Sequence, residues 1–132
     1  ETSKFDWIYW SFYKEEIMIS YDVDYYYKDE LLTKIHVRGR EVTFENYSDE
    51  VLLVAFGVRT KVTYEDLEEF YESRCFPRER ANARELLYDL GVDFYDQEAI
   101  CRKTHGMQFD DFMWLQFSDE PQVEYKDIKI RD

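Results

Sequence analysis

The spacing of apolar residues changes once along this chain, and that change constrains the fold more than any other feature. Up to Gly57 they recur mostly at every second position, and beyond it at every third or fourth. A period of two belongs to a half-buried strand, and a period near 3.6 to a helix lying on a core. Ile17, Ile19, Tyr21, Val23 and Tyr25 share one parity while Ser20, Asp22 and Asp24 share the other, which predicts a strand carrying both aspartates on its solvent side. Ahead of it, Lys4 to Tyr13 is apolar or aromatic on both parities, as in a strand covered on both faces. Thr33 to Val37 and Glu41 to Tyr47 flank Arg38-Gly39-Arg40 and predict a hairpin, with Gly39 supplying a positive φ. Asn46 to Glu50 is turn chemistry, and the continuous apolar run Val51 to Phe56 reads as a last strand or a buried crossover.

After Gly57 the punctuation is that of helices. Thr63 is an N-cap with acidic residues behind it, and Tyr64, Leu67, Phe70 and Tyr71 fall on one side of a helix projected at 100° per residue. Pro77 suits a first helical turn, Ala83, Leu86, Leu87 and Leu90 recur at helical spacing, and Gly91 suits a left-handed cap, so a second helix is expected from Pro77 to Leu90. Asp96 caps a third, shorter one that Gly106 ends. Phe109 to Phe117 folds back on the core, with a strand after Asp111. The tail from Pro121 is polar enough to fray unless Val123, Tyr125, Ile128 and Ile130 hold it. The expectation is one α+β domain over 1–132: mainly β over 1–57, mainly α over 61–117, and a polar tail over 118–132. An N-terminal antiparallel sheet of four to five strands is covered by two to three C-terminal helices.

Charge narrows the function. Thirty Asp and Glu against 17 Lys and Arg leave −13, which opposes phosphate binding, because nucleic-acid affinity comes mainly from cations neutralising the backbone. An aromatic share of 19% argues against a disordered acidic tail. No stretch reaches the roughly 18 apolar residues of a membrane-spanning helix, and no basic-then-apolar leader opens the sequence. Two cysteines are too few for a disulfide scaffold, so the expectation is a reducing, cytoplasmic setting.

Catalytic and cofactor signatures are weak. The four glycines stand singly, so no phosphate-cradling loop is present and no cofactor is expected. Cys101 and His105, four apart, share a helical face and with Cys75 offer three zinc donors, one short of a structural site. As a Cys–His dyad they lack a marked orienting group and oxyanion hole. The reading is therefore a buried thiol and a helix-end histidine, with no metal and no catalytic residue.

The informative pattern lies on the first helix. Glu65, Glu68, Glu69 and Glu72 fall within about 100° of arc opposite the apolar stripe. Glu65 with Glu69 and Glu68 with Glu72 are like-charge pairs at i,i+4, each costing a few tenths of a kcal/mol, so helix stability alone would not choose them. Carboxylates one helical turn apart stand about 6 Å apart along the axis, close to the phosphate repeat of one nucleic-acid strand. Asp22 and Asp24 stand about 6.7 Å apart on a strand, beside Tyr25, Tyr26 and Tyr27. Residues 31–60 and 76–90 are balanced in charge, so the remaining segments supply the whole acidic excess. A basic groove built for DNA or RNA would be blocked by such a surface. Arg74, Arg78, Arg80 and Arg84 cluster around Pro77 and are read as internal partners of Glu72, Glu79 or Asp111.

The run Glu72-Ser73-Arg74-Cys75-Phe76-Pro77-Arg78-Glu79-Arg80, continued by Leu86 to Gly91, Thr104-His105-Gly106 and Asp110 to Trp114, resembles a module of small mobile-element proteins from gut Firmicutes, anti-CRISPR-like accessory proteins among them. It also resembles the stretch ahead of the kinase fold in some HipA-like toxins. The resemblance covers residues 70–117 and implies an accessory or regulatory module, with Arg74, Pro77, Arg80, Gly91, Gly106, Asp111 and Trp114 as architectural positions. No kinase residue has a counterpart here.

Together these features lead to one expectation: a non-catalytic acidic protein that occupies the basic, nucleic-acid-binding surface of a partner protein, a host defence nuclease in the anti-CRISPR manner, without contacting nucleic acid or membrane itself. Its contact residues are Glu65, Glu68, Glu69 and Glu72, then Asp22 and Asp24. The alternatives are an antitoxin or regulatory subunit of a HipA-like toxin, and a small enzyme using Cys101 and His105.

Overall fold

The computed structural model describes residues 20–130. Within them, β1 (Tyr21–Tyr27), β2 (Glu30–Arg38) and β3 (Glu41–Asn46) form a meander, followed by α1 (Tyr64–Ser73), α2 (Ala83–Leu90) and α3 (Gln97–Thr104). β4 (Met113–Phe117) and the single turn α4 (Tyr125–Ile128) close the described chain. The sheet is antiparallel in the order β3-β2-β1-β4, so the fold is α+β, with β4 returning from beyond the helices to pair with β1. The strand predicted over Lys4 to Tyr13 lies outside the described residues, as do Ile17 and Ile19 of the predicted alternation.

The period-2 pattern decides which face of the sheet is covered. Tyr21, Val23 and Tyr25 of β1 align with Val37, Ile35 and Thr33 of β2 and, through β4, with Phe117 and Leu115. All but the polar Thr33, which is buried beside them, form the core with Leu67, Phe70 and Tyr71 of α1 and Ile100 and Cys101 of α3. Tyr25 meets Phe70 edge-on at 5.0 Å, and Tyr71 lies 6.0 Å from Phe117. Burying each such side chain contributes about 1.5–3 kcal/mol.

Local chemistry sets the helix ends. The Thr63 hydroxyl accepts from Asp66 N–H while the Asp66 carboxylate accepts from Thr63 N–H, a reciprocal capping box that starts α1. Asp96 accepts from Ala99 N–H at 3.3 Å and starts α3. Gly91 ends α2 at φ 76°, and α3 ends at His105 (φ 56°) followed by Gly106 (φ 60°). At Gly106 a Cβ would stand 2.9 Å from Leu115 Cδ1, so both conformation and space require glycine.

Two expectations are corrected and one left open is decided. The second helix starts at Ala83, not Pro77: Pro77 O accepts from Arg80 N–H and Arg80 O from Ala83 N–H, so two separate turns replace the first half. Residues 78–82 offer no large apolar side chain to bury, and helix begins where Ala83, Leu86 and Leu87 supply one. Even so, no residue of α2 is fully buried. The run Val51 to Phe56 forms turns rather than a strand or buried crossover, closed by Leu53 and Val54 N–H bonds to Glu50 O; Val54 and Phe56 anchor it while Leu52 is 96% exposed. Of the two readings of the tail, fraying or being held by its apolar residues, the second is found. Buried Gln116 accepts from Val123 N–H and donates to Pro121 O, and Tyr125 is buried beyond them.

Candidate partner-binding surface

The capping box fixes the start of α1, and the Leu67, Phe70, Tyr71 stripe fixes its rotation, so the opposite side must face water. Glu65, Glu68, Glu69 and Glu72 are all exposed. Their surroundings differ. Glu65 meets Arg40 at 3.3 Å, with that guanidinium lying over the Tyr64 ring. Glu72 meets Arg78 at 3.0 Å and accepts from Gln97, and the Arg78 hydrogen bond holds its carboxyl below the usual range. Glu68 and Glu69 have no ion pair among the described residues. The ladder read from the sequence is therefore gripped at both ends by the chain's own arginines and open in the middle.

Each of the four acids lines a depression. Glu68 borders a cavity of about 220 Å³ with Tyr64, Tyr71, Asp96, Gln97 and Glu98. Glu69 and Glu72 border one of about 390 Å³ with Cys75, Pro77, Arg78 and Tyr95, and Glu65 one of about 660 Å³ beside β3. Asp96 and Glu98, which the sequence reading missed, thus extend the negative surface around Glu68. The signal available was the α3 cap itself, because an N-cap and first turn rich in acid set carboxylates where the start of α3 meets α1. Glu98 is partly committed: it accepts from Tyr21 Oη at 2.9 Å and pairs with Arg102 at 3.0 Å.

Asp22 and Asp24 share the outer face of the sheet, as their parity predicts, but in other company. Register sets Asp22 opposite His36 and Asp24 opposite Lys34. Asp22 Oδ1 lies 2.9 Å from His36 Nδ1 and 3.1 Å from Arg38, and Asp24 Oδ1 lies 3.5 Å from Lys34 Nζ. Partial burial works to raise the Asp22 pKa, yet the His36 and Arg38 hydrogen bonds outweigh it and hold it below its ordinary value. His36 is held above its own by Asp22 and then by Glu45. Of the adjoining tyrosines, only Tyr26 shares this face, stacked on Trp114 at 4.7 Å; Tyr25 belongs to the core side.

The arginine cluster divides. Arg74 is buried, with its two terminal nitrogens on the two Asp111 oxygens at 2.8 and 2.9 Å and its Nε on Gly106 O at 2.9 Å. This two-pronged pair joins the end of α1 to the approach of β4. Arg78 takes Glu72. Arg80 and Arg84 are exposed and form no ion pair among the described residues.

Cys101 and His105 do not engage each other. Cys101 Sγ donates to Tyr71 O at 3.3 Å and approaches Cys75 Sγ at 3.8 Å, while His105 Nδ1 lies 3.1 Å from Leu115 O. Among the described residues no group of three His, Cys, Asp or Glu side chains is arranged to hold a metal ion. No described helix is long and apolar enough to cross a membrane. Comparison with family models, curated proteins and solved structures finds no match to this chain.

Proposed function

We propose that the protein is a non-catalytic acidic binding module that covers a basic, nucleic-acid-binding surface on a partner protein, most concretely a defence nuclease. The observation that carries this reading is the outer face of α1, where Glu68 and Glu69 stand exposed on a capped helix without an ion-pair partner among the described residues, between Glu65 and Glu72. Like charges side by side raise the free energy of the isolated protein, and an arginine-lined groove relieves that cost on binding. Asp96 and Glu98 widen the negative field on the same side. The field of a chain at −13 also steers a basic partner, making association fast and sensitive to salt.

The test is capture of nucleic-acid-binding proteins at low salt, elution on a salt gradient, and assay of the captured nuclease with and without the protein. The expected result is inhibition that nucleic acid competes away and that the double reversal Glu68→Lys, Glu69→Lys removes while the fold persists. Inhibition unchanged by that reversal would contradict the reading. A complex stable at high salt would instead indicate an apolar interface of the antitoxin kind.

A further inference from the structure

The two cysteines of the sequence, 26 positions apart, meet inside the fold. Cys75 follows the last turn of α1 and Cys101 sits in the middle of α3, with their sulfurs 3.8 Å apart and both thiols unoxidised. Both are buried but their access differs: Cys101 is fully enclosed, whereas Cys75, 7% exposed, lines the surface cavity of about 390 Å³ that Glu69, Glu72, Pro77, Arg78 and Tyr95 also border. We propose that Cys75 and Cys101 form a dithiol site for a two-electron oxidant of the hydroperoxide class, with Cys75 attacking from the cavity and Cys101 resolving the product into an intramolecular disulfide. This inference does not depend on the partner-binding reading.

The chemistry balances within the pair and the peroxide. Cys75 loses its proton to solvent and its sulfur attacks the terminal peroxide oxygen; the S–O bond forms, the O–O bond breaks, and the departing hydroxide of hydrogen peroxide, or alkoxide of an organic hydroperoxide, takes up a proton to give water or an alcohol. The sulfur is oxidised to sulfenic acid and the peroxide is reduced. Cys101 sulfur then attacks Cys75 sulfur, the S–S bond forms, the S–O bond breaks, and the hydroxide leaves with the Cys101 proton as water. The two sulfurs must approach from 3.8 Å to the roughly 2.05 Å of a disulfide bond.

The surroundings suit this order of events. Both sulfurs lie within hydrogen-bond reach of the same acceptor, Tyr71 O, at 3.1 and 3.3 Å, and that carbonyl keeps the Arg74 N–H at 2.9 Å when the thiol protons are gone, so oxidation does not strand Tyr71 O. Cys75 borders the cavity and Cys101 does not, so the cavity-lining sulfur is the one that can pass its proton to solvent; once it has, the Cys101 S–H can turn to it, which lowers the Cys75 thiol and, with burial, raises Cys101.

The experiment uses the full chain, reduced, freed of reductant and exposed to hydrogen peroxide in native buffer. Intact mass under non-reducing conditions should fall by two hydrogens, iodoacetamide added after unfolding should find no thiol, and a thiol reductant should restore both without any dimer forming. Cys101→Ser should stop Cys75 at a sulfenic acid that dimedone traps, and Cys75→Ser should leave Cys101 unmodified. The proposal is overturned if the native protein keeps two alkylatable thiols under conditions that oxidise the urea-unfolded chain, or if the only disulfide formed joins two molecules. Those outcomes are read on the unsubstituted protein, so a serine variant that fails to fold does not blunt the test.

Discussion

The outer side of α1 and the outer side of the sheet carry the same kind of charge and treat it in opposite ways. On the sheet, Asp22 and Asp24 each face a cation on the adjacent strand, His36 with Arg38 for one and Lys34 for the other. On the helix, Glu68 and Glu69 are exposed and form no ion pair among the described residues, with cations reaching Glu65 and Glu72 at the two ends. A paired carboxylate has already exchanged part of its hydration for a partner inside the molecule. An unpaired one still has that interaction to offer, so acid count locates negative sequence, while pairing decides which negative surface can bind.

The contrast can be broken in graded steps. The largest effect belongs to the most deeply paired acid, Asp111. Asp111→Ala leaves the Arg74 guanidinium, 7% exposed, without its counter-ion and should cost about 3–5 kcal/mol in urea unfolding. Next is the sheet pair: Asp22→Asn should cost about 1 kcal/mol near pH 6, because the pair is only partly buried.

The sheet pair also carries a pH signature. The fold raises the His36 pKa above its ordinary 6.5, so that contribution is complete below 6.5 and fades as pH rises through the raised value. Asp22 is depressed below its ordinary 3.8, so its share is present above 3.8 and is lost as pH falls through the lowered value. Stability of the natural chain should therefore decline above pH 6.5 more steeply than that of Asp22→Asn, and parallel pH curves would remove the pair from the account. The smallest effect belongs to the helix: Glu69→Lys should change stability by no more than about 0.5 kcal/mol, in the stabilising direction, since it replaces a Glu65–Glu69 repulsion with an attraction.

How much of this was legible in the sequence follows from the range of the interactions. The Thr63 and Asp96 caps, Gly91, and the Gly39 hairpin depend on neighbours within a few residues, and each is found where local chemistry predicts. The acidic side of α1 was legible for the same reason, since a helix projection needs no tertiary knowledge. Strand parity placed Asp22 and Asp24 on the solvent side, but their cations come from cross-strand register, which parity does not specify. Leu52 shows another limit: an apolar run announces burial, yet two anchors, Val54 and Phe56, satisfied this one in turns. The meeting of Cys75 with Cys101, and of Asp96 and Glu98 with Glu68, depends on α3 docking against α1, information held by the whole core.

The claim that unpaired acid on α1 is what a basic partner grips can be read by calorimetric titration of the protein with an arginine-rich peptide across a series of salt concentrations. Glu68→Lys, Glu69→Lys should weaken binding about tenfold or more and flatten its salt dependence, while Asp22→Asn, Asp24→Asn should leave both nearly unchanged. Equal losses from the two double variants, or a larger loss from the sheet, would contradict the claim.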